Sequence, residues 1–503
     1  MMITGRLHHA MGAIALLLGA NLMSAHAEFT DMGLNLIGVD SGSVDWGDYN
    51  NNGRPDILLT GYDSQFNPVT KIYRNNGDGT FLDINAQLPG VSSGRAVWGD
   101  FNNDGYPDIL IVGNDANFQP IAKVFRNNGD RTFTDINAGL TGVAYGSASW
   151  GDYNGDGFLD ILLTGYNANF ESVAIVYRNN QNGTFLNIGA ALTGVSSSSA
   201  AWGDFNGDGR QDILLSGWDG SQLVSKVYRF DGGFTFTDIG AGLTGLDYSS
   251  VAWADFDGNG KLDILMTGFD DDFNAVTLIY RNNGDGTFTE TSAELTGVGD
   301  GSVAVADFDR DGRLDILLTG ANNNFEPVSL LYRNNGDGTF AAVDAGLTGV
   351  SQGSAAWGDF NKNGSPDLLL AGWSGNGPVT KLYRNDHAPA DDDDGDDEEE
   401  PIDEEPEEPV GPTVTERIES LLDQVHSLAA ARRINNGIAN AATNQLGNVL
   451  RSYGKGNLNA ACSQLTGFMN LIQGQINARK LNANDGQALI DAANATKAAI
   501  GCS

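Results

Sequence analysis

The chain has 503 residues, 67 of them glycine, and 18% are charged; it can bury a large core but is too long for one ordinary domain. A formal net charge of −37 at pH 7 excludes nucleic-acid binding, because nothing basic is available to displace phosphate counterions. The only two cysteines, Cys462 and Cys502, lie near the C-terminus, so disulfides cannot brace the main body.

The N-terminus carries Arg6, an apolar run from about Met11 to Ala20, and Ala25-His26-Ala27 before Glu28. A basic residue, a short apolar segment and a small-residue cleavage site read as a secretory signal peptide over 1–27. Gly12, Gly19 and Asn21 interrupt the run, and no later stretch reaches about 18 uninterrupted apolar residues, so no transmembrane segment is expected. The mature chain is expected to be a monomer, secreted or at the cell surface, with the periplasm as the alternative.

Residues 28–387 repeat. Asp48, Asp100, Asp152, Asp204, Asp255, Asp307 and Asp359 recur at spacings of 51 or 52, which suits seven propeller blades or an array. Each unit reads as four strands, in the first SVDWGD, PDILLTGY, TKIYRNN and TFLDI, separated by turns such as NNGDGT at 75–80. The seventh unit stops at Asp386 without a fourth strand, and an orphan copy of that strand, EFTDM, stands at the N-terminus. The expected fold is therefore an all-β, seven-bladed β-propeller closed by its N-terminal strand, with no exposed sheet edge.

A loop rich in carboxylates and amides opens every unit. Its positions one, three, five and nine are Asp48, Asn50, Asn52 and Asp56 in the first unit, then Asp100, Asn102, Asp104 and Asp108, and then Asp152, Asn154, Asp156 and Asp160. The fourth has Asp204, Asn206, Asp208 and Asp212, and the fifth Asp255, Asp257, Asn259 and Asp263. The sixth has Asp307, Asp309, Asp311 and Asp315, and the seventh Asp359, Asn361, Asn363 and Asp367. Position six is always glycine, whereas position seven varies freely, as expected if only its backbone carbonyl coordinates. Hard oxygen ligands around a sharp glycine turn suit Ca²⁺. Position twelve is apolar, as at Leu59, Ile111 and Leu318, so these are hairpin loops and not EF-hands. Sites one and seven carry charge −2, site six −4 and the rest −3; on charge alone site six binds tightest.

These units closely resemble the FG-GAP/VCBS repeats of integrin α-subunits and secreted bacterial proteins, and LYRNNGDGTF at 331–340 is very close to the VCBS pattern. The resemblance implies up to seven Ca²⁺ ions held through positions one, three, five and nine, in a structural role.

The face opposite the metal loops is the expected ligand surface. Trp218 and Trp373 begin second-to-third loops there, and Tyr62, Tyr166 and Phe269 occupy equivalent positions. Such an uneven aromatic rim fits stacking on sugars or anchoring of a protein, or else packing against neighbouring loops. Arg95 replaces a serine found in the other six units, at Ser43, Ser147, Ser199, Ser250, Ser302 and Ser354. It holds an anionic ligand at the channel mouth or pairs with Asp45. Residues 28–386 contain no histidine and no cysteine, so the chain reads as a glycan- or protein-binding module and not as an enzyme. The alternative is a lyase-like carbohydrate-active enzyme with its site at the channel mouth.

Residues 388–412 hold 14 acidic residues and five prolines, the composition of an extended, disordered, self-repelling linker, which with the helices beyond it would hold the propeller apart from another surface. Residues 413–503 read as about four amphipathic helices, with a Cys462–Cys502 disulfide suited to an exported module. KGNLNAACSQLTGFMNLI and KLNANDGQALIDAAN are similar to the FIMAH-type helical module, which implies an exterior location and no particular activity.

Overall fold

The computed structural model describes residues 29–386, 414–430, 432–478 and 480–502; the expected signal peptide and the acidic linker lie outside the described residues. Twenty-eight strands, β1 to β28 in chain order, form seven four-stranded antiparallel sheets. The first blade runs β2 (Asp40–Gly47), β3 (Asp56–Tyr62), β4 (Pro68–Asn75) and β5 (Phe81–Asp83) from the channel outward.

The second strand of each blade is a continuous apolar run because it is covered on both faces by the neighbouring blades. In β3, Ile57, Leu58 and Leu59 are fully buried. Blades meet most closely along the innermost strands, where a Cβ at Gly47 would fall 2.6 Å from the Trp98 ring of the next blade. Ala254 stands at the corresponding position where the next blade presents Val305.

Ring closure is as the sequence implies. The seventh blade has the order β26 (Ser351–Gly358), β27 (Asp367–Trp373), β28 (Pro378–Asn385), and its outer strand is β1 (Phe29–Asp31). Phe29 pairs with Asn385 and Asp31 with Tyr383, while Thr30 Oγ1 donates to Asp386 Oδ2 at 2.7 Å. Asp31 forms an ion pair with Lys381, repeating the bond that Asp83 makes with Lys71 at 2.7 Å in the first blade.

The C-terminal module is four helices, α1 (Val414–Ala430), α2 (Asn436–Gly454), α3 (Leu458–Asn477) and α4 (Ala483–Ile500). Ile418, Leu421, Leu446, Leu465 and Phe468 form its buried centre, and the Cys462–Cys502 disulfide ties α3 to the second residue beyond α4. The module contacts the propeller: Asp423 of α1 forms ion pairs with Arg74 and Arg131 of the first two blades.

Candidate metal loops and the opposite face

Each metal loop is pre-shaped by its own hydrogen bonds. Asp48 Oδ1 accepts from Asn52 N–H at 2.9 Å, and its Oδ2 accepts from Gly53 N–H. The same bonds recur at Asp307, from Asp311 N–H at 3.0 Å and Gly312 N–H at 2.9 Å. The glycine at position six has φ between +82° and +88° in all seven loops, a conformation that strains other residues. Position nine anchors the loop to the third strand: Asp108 Oδ1 accepts from Asn127 N–H at 2.8 Å and Asp315 Oδ1 from Asn334 N–H at 2.8 Å.

The donor set fits a hard divalent cation. Asp255, Asp257 and Asp263, and likewise Asp307, Asp309 and Asp315, offer ligand atoms within 4.8 Å of one another, a spacing that one ion coordinated at about 2.4 Å can span. Burial, reinforced by Asp104 and Asp100, pushes the Asp108 carboxyl up to about 8. Burial and neighbouring carboxylates push Asp160 and Asp315 up to about 7. These carboxylates are held where their charge is costly, and a bound cation removes that cost.

Position seven is not inert. Arg313 forms an ion pair with Asp311 in loop six, and Arg210 pairs with Asp208 at 2.9 Å in loop four. Each arginine offsets part of the charge that ranked the sites.

On the opposite face the candidate residues separate. Tyr62 lines a cleft of about 340 Å³ at the channel mouth together with Tyr145, Tyr248 and Asp300, and Tyr166 stacks on Tyr145 at 5.3 Å. Trp218 is 38% exposed, and Trp373 is half-buried. Phe269 is a correction: it is buried, and a Cβ at Gly299 would meet its ring at 2.6 Å, so it packs and cannot touch a ligand. Arg95 interacts with Asp45, a carboxyl that burial pushes up to about 6 despite hydrogen bonds from Trp98 and Trp46 N–H and the nearby guanidinium. The serine it replaces has a structural task, since Ser43 Oγ accepts from Ala96 N–H and Ser147 Oγ from Ala200 N–H, both at 3.0 Å. Those bonds stitch neighbouring blades, and Arg95 interrupts the series.

Sequence reasoning missed a ring of phenylalanines. Phe66, Phe118, Phe170, Phe273 and Phe325 stand at second-to-third loop tips, 71–81% exposed, each with φ between +57° and +62°. The loops beneath them are rigid: Asp63 Oδ1 accepts from Gln65 N–H at 2.8 Å and Asn67 N–H at 2.9 Å. The signal in the sequence is a Phe recurring at the fifth residue after the glycine near the end of the second strand (Gly61, Gly113, Gly165, Gly268 and Gly320), in five of seven units.

Seven blades, each entered by a carboxylate loop, define a repeat β-propeller carrying an appended helical module. The chain belongs to the FG-GAP-like repeat family, whose pattern matches residues 48–111, 100–163, 152–215, 204–266 and 268–318; the FIMAH domain pattern matches 418–498. Cartilage acidic protein 1 of Mus musculus is 30% identical over 176 residues, covering 32% of this chain and 27% of that protein. The Homo sapiens protein of the same name is 29% identical over 176 residues, covering 32% and 26%. The match thus spans about a quarter of the curated relatives' length. Among the described residues no helix is long and apolar enough to cross a membrane.

Proposed function

We propose that the protein is an exported recognition module whose propeller, made rigid by up to seven Ca²⁺ ions, binds an extracellular protein on the face opposite the metal loops. The phenylalanine ring carries this reading. A non-glycine residue in the left-handed region costs on the order of 1 kcal/mol, and water-exposed benzyl groups forgo about 1.5–3 kcal/mol of burial each. Five repeated instances of both costs are consistent with display to a partner. Because the tips stand on five different blades, they suit a broad protein surface better than a single sugar. The stacked Tyr145 and Tyr166 beside the channel mouth favour a second reading, a neutral glycan seated there. The matched relatives are named for cartilage and for acidity, and this chain shares the acidity.

In the metal loops the residues at positions one, three, five and nine would hold Ca²⁺, which supplies charge neutralisation and cross-linking of each loop, not chemistry on a substrate. The reading is of binding without turnover. It is tested by passing calcium-loaded residues 28–503 over immobilised matrix proteins and polysaccharides while recording retention and new reducing or unsaturated ends. Retention on a protein that is lost in Phe118→Ser/Phe170→Ser supports the proposal. Retention on a polysaccharide that this variant keeps moves the site to the channel mouth, and the appearance of new ends overturns it in favour of an enzyme.

A further inference from the structure

Two residues of this chain are locally unfavourable, and one contact accounts for both. The turn NNGDGT keeps glycine at its fifth position in four of the five NN-type copies, at Gly79, Gly183, Gly286 and Gly338, with φ from +81° to +87°. The second blade has Arg131 there, at φ +68° and only 7% exposed. Its Nη1 meets Asp423 Oδ1 of α1 at 2.7 Å, while Arg74 Nη2 takes Oδ2 of the same carboxylate at 2.6 Å. A carboxylate held between two guanidiniums is a strong, oriented contact.

The second residue lies in the module. Gly447 sits inside α2, where glycine is about 1 kcal/mol worse than alanine. A Cβ at Gly447 would fall 2.7 Å from the Asp130 Cβ, so the glycine lets the helix lie on the blade-two turn. Arg451, one turn further on, donates to Asp130 Oδ2 at 3.1 Å and to the Asn128 carbonyl at 3.3 Å. Gly454 then lies against the Tyr106 hydroxyl, and Tyr106 is position seven of metal loop two. Between them is a cleft of about 1110 Å³ bounded by Asn102 and Asp104 of that loop and by Arg451 and Lys455 of the module.

We propose that blade two is specialised to dock the chain's own helical module, with Arg131 and Gly447 as the specifying residues, so that propeller and module form one body. The module covers the turn of blade two and borders loop two, and it leaves the opposite face free.

The test uses two variants that each improve the local structure they sit in. Arg131→Gly restores the repeat's own residue, and Gly447→Ala strengthens α2. In calcium-loaded residues 28–503, small-angle scattering is expected to show a compact particle whose maximum dimension lengthens in each variant. Melting temperatures of propeller and module should fall no further than they do in Asp423→Asn, and helicity should be kept. Asp423→Asn should lengthen the particle in the same way. An already extended wild-type particle, or an unchanged dimension in Arg131→Gly/Gly447→Ala, overturns the proposal. A propeller melting temperature lowered by Arg131→Gly but not by Asp423→Asn also overturns it, because Arg131 would then serve the propeller itself.

Discussion

The side-chain amide of Asn127 donates to the backbone carbonyl of Tyr49 at 2.8 Å, across the boundary between the second blade and the metal loop of the first. Asn179 makes the same bond to Phe101, Asn282 to Phe205 and Asn334 to Phe256. In blade four Phe230 takes the place of the asparagine and meets Tyr153 edge-on at 5.0 Å. An amide clamp is there exchanged for an aromatic one.

Removing one clamp leaves a buried carbonyl without its donor. Asn127→Ala is expected to cost about 2 kcal/mol of propeller stability, read from the shift in a urea unfolding midpoint. A shift no larger than that of an exposed substitution such as Asn324→Ala would contradict the clamp's role.

Closure of the ring depends on a three-residue strand. Phe29 lies 6.2 Å from Phe308 and 6.0 Å from Trp357, and Phe29→Ala is expected to cost about 2–3 kcal/mol for a partly buried ring. Deleting residues 29–31 should also expose the β28 edge and promote association, measured by light scattering against concentration.

Calcium binding should respond to position seven as well as to the carboxylates. Because Arg313 pairs with Asp311, Arg313→Ala is expected to tighten the sixth site and Asp311→Asn to weaken it, both read in a calorimetric titration. Chelation should lower the melting temperature, since an ion present at about 100 times its Kd contributes about 2.7 kcal/mol.

The channel mouth gives a pH signature away from the metal loops. Burial, with Asp247 and Asp40 nearby, pushes Asp300 up to about 6 against a hydrogen bond from Gln352. A raised carboxyl stabilises the fold fully below its unfolded value near 4, and that contribution is lost as pH rises through about 6. Asp300→Asn should therefore flatten the fall in stability between pH 4 and 7, by about 1 kcal/mol after allowance for water in the mouth. Thermal melts across that range decide it.

Much of the architecture was legible because the repeat carries its own punctuation. The seven aspartates gave the blade count, and the orphan EFTDM gave the closure. With only two cysteines, Cys462 and Cys502, their pairing was equally plain. The ligand-facing side was less legible, because repetition reports that a residue is constrained without saying by what. Phe66 and Phe81 recur with the same period, yet Phe81 packs 6.2 Å from Trp46 and Phe66 is 75% exposed. Phe269 looked like a rim residue and is buried. The docking of the helices was illegible for a different reason: Arg131 breaks the repeat by one residue, and its partner lies 292 positions away.

The bond from Thr30 to Asp386 joins residues 356 apart, and this bears on the order of events during synthesis. At roughly 5–20 residues per second, about 20–70 s separate the appearance of the two partners. The first strand made is the last to find its place, and every blade between them must already be synthesised before the circle can shut. A short Phe-Thr-Asp strand, two of its three residues polar, is a safe one to leave waiting.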